Sequence, residues 1–180
     1  MKKLYALAAL TLVGTPAIAA ESQGFYASVG GGVYRIDSNG FDDRAPSAML
    51  TAGYDINQYF GVESTWSRLF NASDRVSGTK VTIDGNVWDL TTRLSYPVND
   101  RVDPYLRMGW SYSDLAAKTT TIEGEPLRLN DYDDGFSWAA GAGFSLTPRL
   151  DLKVEYARML VTNDDLDRVS ASVTYRFGAR

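Results

Sequence analysis

From residue 24 onward the chain alternates, and its two parities carry different chemistry. Phe25, Ala27, Val29, Gly31 and Val33 share one parity, while Tyr26, Ser28, Gly30, Gly32 and Tyr34 share the other. Later segments sharpen the contrast. Phe60, Val62, Ser64 and Trp66, then Trp88, Leu90, Thr92, Leu94 and Tyr96, then Leu106, Met108, Trp110 and Tyr112 fall on one side. Gly61, Glu63, Thr65, Ser67, Asp89, Thr91, Arg93, Ser95, Tyr105, Arg107, Gly109 and Ser111 fall on the other. A period of two is that of a β-strand, whereas a helix would spread these residues round its circumference. Eight such segments lie near residues 24–36, 47–55, 59–69, 80–96, 102–117, 134–146, 150–160 and 167–177. The chain therefore reads as all-β. No gap between the segments is long enough for a second domain.

The connections alternate in length. Asp55 to Gln58, Pro97 to Arg101 and Thr147 to Arg149 are short and rich in Asn, Asp and Pro. Asp37 to Pro46, Phe70 to Thr79, Ala117 to Asp133 and Val161 to Leu166 are longer and polar. Short turns at one end and long loops at the other describe an antiparallel up-and-down meander, and an even strand count brings both termini to the short-turn end.

Residues 1–20 stand apart. Lys2 and Lys3 precede an apolar run from Leu4 to Val13, Gly14 and Pro16 break it, and Ala17-Ile18-Ala19 forms a small-residue cleavage motif. The run falls well short of the roughly 20 apolar residues that cross a bilayer as a helix. It reads as a secretory signal peptide cleaved near Ala19 or Ala20, leaving residues 21–180 as one exported domain. No second long apolar run follows, so a helical membrane protein is excluded.

Two barrels fit eight amphipathic strands: a soluble one of the lipocalin type with its apolar face inward, or a transmembrane one with its apolar face outward. Residue size separates them. The polar parity is rich in small residues, among them Gly30, Gly32, Gly53, Gly61, Gly109, Gly141, Gly143, Ser170 and Ser172, as the narrow lumen of eight strands requires. The bulky parity then faces out. On it Trp66, Trp88, Trp110 and Trp138 fall toward the long-loop end, and Phe25, Phe60, Tyr96, Phe144, Tyr175 and Phe177 toward the short-turn end. Two aromatic girdles flanking an aliphatic band are what two membrane interfaces select. The expected fold is an eight-stranded antiparallel up-and-down transmembrane β-barrel.

Composition removes whole function classes. With neither Cys nor His, the chain has no disulfide, thiolate or imidazole metal site, Cys nucleophile or His base. A formal net charge of -4 argues against nucleic-acid binding. No cofactor is expected.

The signal segment, the opening "GFYASVGGGVYRID", "AGYDINQYFGVESTW", "VDPYLRMGWSY", "FSWAAGAGFSLTPRLDLKVEYARM" and the closing "VSASVTYRF" resemble the small outer-membrane β-barrel proteins related to the OmpA transmembrane domain and to OmpX. The resemblance implies a location in the bacterial outer membrane, with termini periplasmic and long loops extracellular. Its partners would be outer-membrane lipid, lipopolysaccharide and the barrel-insertion machinery, and the chain is expected to be a monomer. The family's terminal insertion signal maps onto Val173, Tyr175 and Phe177, displaced from the end by Gly178-Ala179-Arg180. The chain stops at Arg180, so the cell-wall anchoring of full OmpA proteins is not expected.

Glu63, Asp89, Arg93, Arg107, Lys153, Glu155, Arg168 and Arg176 fall on the inward parity, and charges in so small a lumen must pair. The resemblance implies an ion-gating set at Glu63, Arg107, Glu155 and Arg168; the competing and favoured reading is a satisfied polar core that fixes strand register. The loops are acidic, with Asp37, Asp42 and Asp43, then Glu123, Glu125, Asp131, Asp133 and Asp134, then Asp164, Asp165 and Asp167. Their spacing is not that of a calcium loop. Lys118, Thr119, Thr120, Thr121 and Ile122 keep strand character before the Glu123-Gly124-Glu125-Pro126 turn, so the fifth and sixth strands are expected to run on into solvent as a hairpin able to meet a partner. By elimination the leading function is a non-enzymatic surface protein that supports the envelope or attaches through its loops to a surface or host ligand. A narrow channel is the alternative. A wide porin needs more strands than the length allows, and a lipid-modifying enzyme lacks its His.

Overall fold

The computed structural model describes residues 24–38, 41–76, 79–120, 126–160 and 165–177; the signal segment and Gly178 to Arg180 lie outside them. Eight strands follow one another: β1 (Gly24–Ser38), β2 (Phe41–Asp55), β3 (Phe60–Val76), β4 (Thr79–Ser95), β5 (Val102–Thr120), β6 (Pro126–Thr147), β7 (Leu150–Leu160) and β8 (Asp165–Arg176). Each pairs antiparallel with the next, and β1 pairs with β8, so the sheet closes into a barrel with no helix among the described residues. From Tyr26 the register runs through Gly53, Glu63, Thr91, Gly109, Ser137, Met159 and Leu166 and returns to β1 at Ile36, a stagger of ten residues. Such a stagger on eight strands tilts them by about 35–45° and leaves an interior just wide enough for side chains.

The strands are longer than the alternation indicated, and this corrects the expected loops. Most of Asp37 to Pro46 and Phe70 to Thr79 is strand, whereas β5 to Thr120 and β6 from Pro126 follow the hairpin expected there. Hairpin pairs continue to Ser38↔Phe41, Val76↔Thr79 and Thr120↔Pro126. Alternation records a difference between two environments, so it fades where both faces of a ladder meet water.

Short turns are held by their own side chains. The Asn57 Oδ1 accepts from the N–H groups of Tyr59 and Phe60, and the Asn99 Oδ1 from those of Arg101 and Val102. These Asx contacts satisfy turn donors that the ladder leaves over.

The apolar parity faces outward along every strand, with Val29, Leu50, Leu90, Leu106, Met108 and Val169 at least 45% exposed. A closed ladder has no edge at which detergent can begin to unzip it. The unheated protein is therefore expected to migrate faster than boiled protein in a dodecyl sulfate gel, and a single band at one position would contradict closure.

Candidate functional site

The lumen is stratified from the short-turn end to the long-hairpin end. At the short-turn mouth the Asp55 carboxylate lies between the Arg93 and Arg176 guanidinium groups, and Arg176 Nε donates to Asp151 Oδ2 at 2.7 Å. An open vestibule of about 680 Å³ lies outside this layer, lined by Arg93, Arg101, Asp103, Arg176 and the turn residues.

Glu63 occupies the middle and is 2% exposed. Its carboxylate accepts from the Tyr26 hydroxyl, from Arg107 Nη1 at 2.9 Å and from Lys153 Nζ at 3.2 Å, with Arg93 Nε at 3.6 Å. Glu155 accepts from the Tyr105 hydroxyl at 3.1 Å and faces Arg107 Nε at 3.4 Å. The Tyr26 ring packs beneath Lys153 Nζ, 4.7 Å from the ring centroid, and beside the Arg93 and Arg176 guanidinium groups; a ring face attracts such cations. Higher still, Arg168 donates to Ser67 Oγ at 2.6 Å and lies 3.6 Å from Asp89, whose carboxylate also accepts from Ser111.

All eight charged residues singled out in the sequence thus line the lumen and join one continuous chain of contacts. The sequence reading missed Asp55, Asp103 and Asp151, which turn three lumen anions against five cations into six against five. Parity could have found them, since each lies two residues from a lumen position: Gly53, Tyr105 and Lys153.

The expectation that large side chains lie outside needs correction. Tyr26, Tyr34 and Tyr105 are at most 5% exposed within the lumen. Room for two of them comes from the glycine paired opposite. A Cβ on Gly53 would stand 2.2 Å from the Tyr26 ring, and one on Gly141 2.7 Å from the Tyr105 ring, so each ring lies across its partner strand where no side chain exists. Above Arg168 the lumen also turns apolar: Tyr34, Ala45, Leu69, Val87, Met159 and Leu166 form one buried cluster, with Leu115 packed against it. Each of these shares its strand's lumen parity with polar residues, so the alternation did not distinguish them.

The aromatic residues sit on the outer surface at two levels. Trp66 and Trp88 face each other across β3 and β4 with ring centroids 6.5 Å apart, Trp138 stacks edge-on against Tyr156, and Trp110 Nε1 donates to Asp134 Oδ2 at 2.7 Å. Phe25, Phe60, Tyr96, Phe144, Tyr175 and Phe177 are exposed near the short turns, with Tyr175 and Phe177 in edge contact at 5.3 Å. Of the insertion-signal residues, Val173 pairs with Leu152 and Val29, and Tyr175 with Leu150 and Ala27; Phe177 lies just past β8, its N–H donating to the Phe25 carbonyl. In the proposed interaction loop Lys118, Thr119 and Thr120 are on β5, paired with Arg128, Leu127 and Pro126, while Thr121, Ile122, Glu123 and Glu125 lie outside the described residues.

Small partly open spaces along the lumen, one beside Glu63 and one between Arg168 and Met159, hold about 10 and 20 Å³, room for a single water each. In planar bilayers the protein is expected to give no conductance or only small, flickering openings. Large, steady currents would show that the lumen is not filled in the membrane.

A family model described as outer membrane protein beta-barrel domain matches residues 5–177. Outer membrane protein A of Shigella dysenteriae is 29% identical over 157 residues, 79% of this chain and 44% of that protein; its Salmonella typhi counterpart is 29% identical over 136 residues, 70% of this chain and 38% of that protein. The chain thus spans about two fifths of the length of these curated relatives. Among solved structures, Neisserial surface protein A superposes with TM-score 0.66 at 21% identity, covering 86% of this chain and 97% of that one. Ail, the attachment invasion locus protein of Yersinia pestis, solved with the heparin analogue sucrose octasulfate, superposes with TM-score 0.64 at 18% identity, covering 86% and 99%. At these identities the structural likeness concerns the fold.

Proposed function

Because the chain belongs to the outer membrane protein β-barrel domain family and is an eight-stranded barrel of the bacterial outer membrane, we propose that it serves as a non-enzymatic surface protein, with its long hairpins outside the cell and the β5–β6 hairpin as its contact surface. Strand length carries this reading. About 9–11 tilted residues cross a bilayer; β7 has 11, whereas β5 has 19 and β6 has 22. β6 pairs with β7 only up to Phe136↔Leu160, yet with β5 up to Thr120↔Pro126. Residues 126–132 therefore pair on one side among the described residues. Backbone N–H and C=O groups on such an edge can receive an extended segment of another protein.

Support also comes from the neighbours. Ail is named an attachment invasion locus protein and was solved with a heparin analogue, so a barrel of this architecture can bind a ligand. No His is present to serve the enzymatic alternative. The narrow-channel alternative is weighed by the planar-bilayer measurement.

Replacing residues 118–129 with a short Gly-Ser turn should leave the heat-dependent gel shift intact, because the outer-surface belt and the lumen network lie below it. Attachment of cells to surfaces or partners should fall to the level of cells lacking the protein. Unchanged attachment would remove the hairpin from the function.

A further inference from the structure

We infer that the barrier to ions in this barrel is an apolar disc at the long-hairpin end of the lumen, and that the charge network beneath it is not the gate. The disc is formed by Tyr34, Leu69, Val87, Met159 and Leu166 with Ala45, all at most 9% exposed and in one contact cluster. These residues come from β1, β3, β4, β7, β8 and β2, and Leu115 of β5 packs against them. Seven of the eight strands thus contribute to it, and β6 brings the buried Gly135 opposite Ser111. The one polar atom that a disc side chain carries, the Tyr34 hydroxyl, donates to the Phe70 carbonyl.

The two layers present different obstacles. In the charge network every step offers an exchange partner: Glu63 contacts Tyr26, Arg93, Arg107 and Lys153, and Arg168 reaches both Asp89 and Glu155. The network also leads down to the open vestibule beside Arg93 and Arg176. An ion there can trade water for fixed charge. In the disc it would meet mostly hydrocarbon and no charged side chain of the cluster, with the Tyr34 and Ser113 hydroxyls already donating to the Phe70 and Asp133 carbonyls, and a constriction of this kind excludes ions by staying dry. The disc also lies at the level of the outer tryptophan belt. Leu69 is next but two along β3 from Trp66, Val87 adjoins Trp88, and Met159 pairs with Ser137 beside Trp138.

Threonine suits strands and adds a hydroxyl without leaving a large void. The test is single-channel recording in planar bilayers of Leu69→Thr/Val87→Thr/Met159→Thr, of Met159→Thr alone and of Glu63→Gln, each first checked for the heat-dependent gel shift. Mean current is expected to rise at least about tenfold in the triple variant and severalfold in Met159→Thr, following the loss of dry hydrocarbon. Glu63→Gln should stay at the wild-type level, since it leaves the disc above untouched, although its one amide oxygen can keep only the Lys153 contact or the Arg107 contact. A folded threonine variant as silent as wild type would overturn the inference, and so would opening by Glu63→Gln. Met159→Thr changes only one side chain of the cluster, so this arm remains readable if the triple variant does not fold.

Discussion

Replacing Glu63 with alanine is expected to destabilise the folded barrel by about 3–5 kcal/mol, the cost of leaving buried charges without their partner. The carboxylate stands among Arg107, Lys153 and Arg93 at 2.9–3.6 Å, and the Tyr26 hydroxyl donates to it. Its removal takes from Lys153 the carboxylate it bonds and leaves Arg107 with Glu155 and Arg93 with Asp55, in a space with no room for bulk water. Unfolding in urea from lipid vesicles, followed by the gel shift or by tryptophan fluorescence, measures the loss. Glu63→Gln should lose less, because it retains an acceptor. Adding Lys153→Met to Glu63→Ala should recover part of the loss by removing the charge left without its carboxylate. If Glu63→Ala unfolds at the wild-type midpoint, the network contributes little and the lumen is held by backbone and packing alone.

The second large effect is steric. Valine at Gly53 would place its Cβ within 2.2–2.5 Å of three atoms of the Tyr26 ring, and that ring is held at 2% exposure by Glu63 and by the cations around it. It has nowhere to move. Gly53→Val is therefore expected to cost about 3 kcal/mol or more, at the upper end for overpacking, and to lower the yield of refolded barrel. Since all three nearest atoms belong to Tyr26, combining it with Tyr26→Ser should restore folding in large part, less the hydrogen bond to Glu63. A Gly53→Val protein that refolds like wild type would mean that the ring has a second resting place in the lumen.

The barrel was legible because a sheet between two environments writes that difference into every second residue. Phe60, Val62 and Leu90 faced one way and Glu63, Asp89 and Arg93 the other, and the structure keeps that division. Legibility failed in three particular places. β2 and β3 run past the residues that alternate, because beyond the bilayer a strand has water on both faces and no reason to segregate its side chains. Asp55, Asp103 and Asp151 were overlooked although parity marks them, because turn-rich composition at strand ends obscures the phase. Tyr26 and Tyr105 lie on the inward parity but run against the rule that bulky side chains face out, because their room comes from Gly53 and Gly141 in other strands.

The sequence by itself determined the class of fold and the outward face, since each depends only on neighbours along one strand. The tertiary structure decided which charge meets which and how the lumen is layered. Glu63, Lys153 and Arg107 converge from β3, β7 and β5, and the apolar disc gathers single residues from six strands. Their heights relative to one another follow from the ten-residue stagger of the closed ladder. That stagger is a property of all eight pairings together, because closing the ring leaves one register compatible with every strand's inward face.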